Sequence, residues 1–169
     1  MSTHIRPMVA ADIPLLHQAF GIDQGWEGKS IELFTNYHQQ QTAGQRQVLV
    51  AVQNDHITGY ITLLPNSPHG PFAGQPIPTV QDFNVLIKHR GQGIGHALMD
   101  AVEALAQQTS PQISLAVGMY ADYGTAQRMY VKRGYIPDGS GLWYKDQPLP
   151  PYAPCCNDDD LVLYFIKTL

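Results

Sequence analysis

The sequence predicts an α/β domain (α+β in some schemes), in which helices flank a sheet, and two features carry that prediction. Between positions 79 and 118 an alternating apolar–polar segment, a glycine-rich turn, an amphipathic stretch and a second apolar run follow one another. A strand–helix–strand unit of this length implies a right-handed crossover with its two strands parallel. Before it, two strand-like runs joined by turn residues read as a hairpin, and further strand-like runs follow it. The chain has 169 residues, 44% of them hydrophobic, which suffices for one core, and a single domain over 1–169 is expected.

In chain order, 3–8 reads as a first strand. Ala11 and Asp12 then cap a helix running to about Phe20, with Leu15, Leu16 and Ala19 on its apolar side. A loop over 21–28 carries Trp26. Ser30, a good N-cap, opens a second helix to about Gln41, with Ile31, Phe34 and Tyr37 in phase. The runs 47–53 and 57–64 are joined by Asn54-Asp55-His56, a hairpin turn, and 65–78 is rich in Pro and Gly and reads as a surface loop.

The segment 79–87 puts Phe83, Val85 and Ile87 on one face of a strand and Asp82, Asn84 and Leu86 on the other. Then comes Arg90-Gly91-Gln92-Gly93-Ile94-Gly95-His96, and Ile94, Ala97, Leu98, Ala101, Val102 and Leu105 form a helical stripe that Thr109, Ser110 and Pro111 end. Glycines let backbone N–H groups approach a ligand, and a helix N-terminus offers unpaired donors and partial positive charge, which suits phosphate oxygens. Arg90 adds a full charge. A dinucleotide fingerprint beginning at Gly91 would need glycine where His96 stands, no Gly-Lys-Ser/Thr follows, and an acidic ribose contact is lacking at the expected offset.

Position 112–118 is a strand, and 124–133 a helix with Ala126, Met129, Tyr130 and Arg133 on one face, ended by Gly134. Strands at 141–145 and 161–168 follow. The loop between them, 146–160, holds four prolines, adjacent Cys155 and Cys156, and Asn157-Asp158-Asp159-Asp160; loops of this length are often lids or binding loops.

Arg90, Gly93 and Gly95, at a strand-to-helix junction, resemble the acyl-CoA-binding motif Gln/Arg-x-x-Gly-x-Gly/Ala of the GNAT acetyltransferases. Ala126, Tyr130 and Gly134-Tyr135 match a second motif of that family, in which Tyr123 stands where many members have Asn. The resemblance implies a mixed, mostly antiparallel sheet of six to seven strands with about four helices, whose two central parallel strands splay. It implies acetyl-CoA as acyl donor, no metal, and direct transfer to a primary amine. Phe83, Val85, Arg90, Gly91, Gln92, Gly93, Ile94, Gly95, His96, Tyr123 and Ala126 would contact the donor. The Val85 N–H would meet the acetyl carbonyl or the pantetheine, and Tyr130 would protonate the leaving thiolate, unless it is simply a core tyrosine. Asp82 is a candidate base or, equally, a structural carboxylate. Trp26, Phe34, Tyr37 and Asn84 are candidate acceptor contacts, and helical aromatics are also ordinary core residues.

Composition narrows the partners. Ten Lys+Arg against fourteen Asp+Glu give a net charge of −4, which argues against nucleic acid or an anionic membrane as partner. No apolar run approaches a membrane span, and residues 1–6 carry no signal core, so a soluble cytoplasmic protein is expected. The two cysteines and scattered histidines have no metal-ligand spacing. The acceptor class stays open among peptide and small-molecule amines, a homodimer is compatible, and a non-catalytic acyl-CoA-binding or regulatory module is the alternative to an enzyme.

Overall fold

The computed structural model describes residues 2–169. Eight strands are present: β1 (His4–Pro7), β2 (Gln47–Gln53), β3 (His56–Leu64), β4 (Thr79–Val85), β5 (Gln112–Gly118), β6 (Ile136–Tyr144), β7 (Gln147–Pro148) and β8 (Leu161–Thr168). Four α-helices accompany them: α1 (Asp12–Leu16), α2 (Ile31–Thr42), α3 (Ile94–Gln107) and α4 (Gly124–Lys132). The mixed α/β class agrees with the sequence reading. The strand beyond the expected six or seven is β7, a two-residue pairing inside the segment read as loop.

The chain forms two compact units, one up to Leu64 together with Gln81–Leu105, the other Pro65–Val80 with Ala106–Leu169. In the first, the strand order is β1-β2-β3-β4. The β2–β3 hairpin turns at Asn54 and Asp55, both at positive φ (48° and 63°), as a two-residue turn matched to strand twist requires. Met8, Leu16, Phe20, Phe34, Val48, Val50, Tyr60 and Leu86 build its core. Ser30 caps α2 as expected, its Oγ accepting the Leu33 N–H at 3.1 Å. Ile31 is exposed, however, and only Phe34 and Tyr37 of the expected apolar phase are buried. The helix placed at 11–20 is α-helical only to Leu16; it continues as a π-helical stretch over His17–Asp23. Such widening shifts side chains off the 3.6 period, so periodicity alone does not reveal it.

In the second unit β5 lies between the start of β4 and β8, and β6 and β7 follow. The parallel pairing of β4 with β5 runs over Thr79↔Ser114 and Val80↔Leu115. The remaining pairs are antiparallel: β8 lies along all of β5, and β6 along β8. Strand β6 begins at Ile136, earlier than the 141–145 segment expected. Phe72, Ile77 and Tyr164 form a separate apolar cluster with Trp143 packed on it.

Candidate active site

Strand β4 ends at Val85, so the alternation expected through Ile87 stops two residues early. Leu86 turns into the core, its N–H donating to Thr58 O at 2.9 Å, and Ile87 begins a short 3₁₀ turn, 58% exposed. Within β4, Asp82 has a φ of 54°, a conformation costing about 1–3 kcal/mol for a non-glycine residue and tolerated best by Asp and Asn.

Such strain persists where surroundings over-determine it, and Asp82 is gripped on every side. Its Oδ1 accepts from Lys29 Nζ at 2.5 Å and Asn84 Nδ2 at 2.7 Å; its Oδ2 accepts from the Tyr37 and Tyr60 hydroxyls, each at 2.9 Å. Asn84 Nδ2 also donates to the Tyr60 hydroxyl at 3.0 Å. Burial, and then the Asp82 charge, push both phenols well above the ordinary tyrosine value, so they stay protonated donors. The Lys29 ammonium lies 5.7 Å over the Tyr60 ring, and the Arg46 guanidinium stacks 4.4 Å over Tyr37. Arg46 is itself fixed by Gln40, Thr62 and Gln81. A carboxylate offers about four acceptor positions, and here all are filled. A proton from an acceptor amine would reach Asp82 only by displacing one of these donors.

Of the expected acceptor contacts, Phe34 is fully buried, edge-on to Tyr37 and Tyr60, and so is a core residue. Tyr37 belongs to the carboxylate cage. Trp26 is half-buried against the core, with the Arg90 guanidinium 6.0 Å over its ring. Neither Lys29 nor Tyr60 was singled out from sequence. Lys29 sits in a loop and lies 53 positions from Asp82, and Tyr60 reads as one more apolar strand residue.

Farther along, Gly91 and Gly93 take φ of 75° and 82°, the left-handed region glycine favours, and space is open where a Cβ would stand on either. Buried Ile94 anchors the turn, and Ala97 N–H to Gly93 O (3.0 Å) starts the α3 hydrogen-bond ladder. Arg90 is exposed, with its Nε donating to Val85 O at 3.2 Å. The turn, the helix start and a cation thus stand together as the sequence predicts, and this arrangement suits phosphate oxygens.

In the second unit, Tyr130 on α4 is 6% exposed, its ring 5.8 Å from that of Tyr135. Burial alone raises its pKa, and its hydroxyl takes no hydrogen bond among the described residues. Tyr123, expected at the donor, instead gives its hydroxyl to Asp159 at 2.7 Å, as Tyr120 does at 2.5 Å. Its ring sits on Gly118 so closely that a Cβ there would lie 2.3 Å from it. The long loop is therefore tied down through its acidic run. Ala126 lies half-buried on α4.

The family model for the GNAT acetyltransferase domain matches residues 21–145. Solved structures with this fold include a GNAT-family acetyltransferase from Desulfovibrio desulfuricans (TM-score 0.73, 14% identity, 99% of each chain covered). A ribosomal-protein-alanine N-acetyltransferase from Brucella melitensis aligns with TM-score 0.70 and 17% identity over 98% of this chain and 99% of that one. The PaiA N-acetyltransferase from Thermoplasma acidophilum, in complex with coenzyme A, aligns with TM-score 0.70 and 16% identity over all of both chains. No curated protein matches the chain. With most of its length matched by the family model, and the glycine turn and helix start in place, the chain belongs to the GNAT acetyltransferase family.

Proposed function

We propose that the protein is an acetyl-CoA-dependent N-acetyltransferase passing acetyl directly from the thioester to a primary amine. The observation that carries this reading is the Arg90–Gly95 turn with its two left-handed glycines opening onto α3. The pyrophosphate would bind there, with Arg90, Gly91, Gln92, Gly93, Ile94, Gly95 and His96 around it, and Phe83, Val85 and Ala126 toward the acyl arm. The Thermoplasma relative, solved with coenzyme A, supports the same class of donor.

In the reaction the C–S bond breaks as the amine nitrogen bonds to the acetyl carbon. The Val85 N–H is the proposed oxyanion donor, and Tyr130 gives its proton to the leaving thiolate and regains one from solvent. Asp82 acts by position, fixing Lys29, Asn84 and two phenols, while the amine sheds its proton to water.

Calorimetry with acetyl-CoA, followed by thiol release on adding amines, tests the proposal. Gly95→Glu puts bulk and negative charge where phosphate must approach and should abolish binding. Wild-type affinity in that variant, with its circular dichroism unchanged, removes the donor from this turn. Tight donor binding with no amine turned over returns the protein to the regulatory reading.

A further inference from the structure

The Asp82 cage has an outward side. Lys29 uses one N–H on Asp82, and no other hydrogen bond to its ammonium exists among the described residues; its side chain is 20% exposed against 13% for Asp82. Asn84 spends its amide N–H groups on Asp82 and Tyr60, while its amide oxygen accepts no hydrogen bond among the described residues and is not buried. Lys29 and Asn84 bond the same carboxylate oxygen, so an ammonium with spare donors and an amide with a spare acceptor stand side by side.

That pairing complements a group carrying a carbonyl oxygen next to an N–H. Resting on the N-acetyltransfer reading, we infer that Lys29 and Asn84 recognise an α-aminoacyl acceptor: Lys29 donates to the carbonyl or carboxylate oxygen, and Asn84 Oδ1 accepts from the amine.

Two further features agree. Lys29 and Arg46 outnumber the single carboxylate, so the local field disfavours a protonated amine and a polycation alike. Asp82 has no open acceptor position with which to strip a proton. An acceptor that is partly neutral without a base is then favoured. An α-amino group has a pKa of about 7.7–8.0, against about 10.4 for a lysine-type alkylamine. Because the carbonyl oxygen serves as well as a carboxylate, the acceptor is either a peptide N-terminus or a free amino acid, and the lower amine pKa favours the peptide.

The test compares thiol release at saturating acetyl-CoA with alanyl dipeptide, alanine, propylamine and spermidine. The dipeptide should exceed propylamine by at least about tenfold in kcat/KM, the value of one charge-assisted hydrogen bond. Lys29→Met should collapse that ratio, with Lys29→Arg restoring part of it, and Asn84→Ala should reduce it. Alanine outrunning the dipeptide assigns the site to free amino acids within the same recognition. Spermidine or propylamine as the best acceptor, or an unchanged ratio in Lys29→Met, overturns the inference while leaving N-acetyltransfer intact. Binding of an N-acetyl dipeptide product, measured by calorimetry on the CoA-loaded protein, should likewise weaken about tenfold in Lys29→Met. If no amine is turned over and the product still binds with that dependence, the transfer reading fails and the recognition stands.

Discussion

Asp82 and Tyr130 are the two candidates for proton transfer, each with a structural alternative, and their surroundings are opposite. Asp82 sits in a strained strand residue with four donors on its carboxylate. Tyr130 is a mostly buried ring on a regular helix, beside that of Tyr135, and its hydroxyl has no hydrogen-bond partner among the described residues. A group held by every available bond is built to position its neighbours, whereas a hydroxyl with no such bond, at the solvent-reaching tip of an otherwise buried ring, is open to a ligand.

This contrast predicts which substitutions act on stability and which on rate. The largest effect is expected at Asp82→Ala, which leaves the Lys29 ammonium and two phenols without their acceptor. A loss of about 2–3 kcal/mol in unfolding free energy should follow in denaturant titration, below the full cost of a buried pair because the site is partly exposed. A loss under about 0.5 kcal/mol would mean the cage carries little energy.

Tyr130→Phe is the converse case. Removing an unpartnered hydroxyl should leave stability and acetyl-CoA affinity near wild type, while kcat falls at least about tenfold, toward the lower end of general-acid effects. A normal kcat, in an assay limited by chemistry, returns Tyr130 to the core. Tyr37→Phe and Tyr60→Phe should each cost about 1 kcal/mol in stability, the value of one hydrogen bond. Their kcat should change less than that of Tyr130→Phe. Equal kcat losses at all three positions would erase the contrast.

A smaller effect lies at high pH. Tyr37, Tyr60 and Tyr130 are all raised by burial, so the unfolded chain ionises these phenols first. Their contribution is present in full below about pH 10 and is lost as pH climbs through the raised folded values. The melting temperature should fall above about pH 10, less steeply in Tyr60→Phe than in wild type. An identical slope in the two proteins would show that Tyr60 ionises alike in both states.

The same pair shows what the sequence could reveal. Features resting on local rules were legible: the Ser30 cap, the Asn54-Asp55 turn and the glycine turn before α3 each need particular residues at particular offsets. The turn and helix start where we propose that the donor binds were therefore readable as structure. The cage was not, because Lys29, Tyr37, Tyr60 and Asp82 meet only through tertiary packing, and no spacing links a loop lysine to a strand 53 positions on. The positive φ at Asp82 left no trace for a similar reason: the period-2 pattern runs through it, and only its partners hold it there. The π-helical stretch over His17–Asp23 and the Tyr123–Asp159 tie likewise depend on what packs against them.

The pH dependence of Asp82→Asn tests the central contrast most directly. Asn keeps the tolerance for positive φ and removes the charge, so the comparison isolates the carboxylate. With acetyl-CoA saturating and the acceptor amine varied, kcat/KM is measured from about pH 6 to 9 for wild type and variant. If Asp82 serves by position, the ratio of the two stays constant across that range. If Asp82 takes the amine's proton, the deficit is largest at acidic pH and shrinks as neutral amine becomes abundant, and that result contradicts the account.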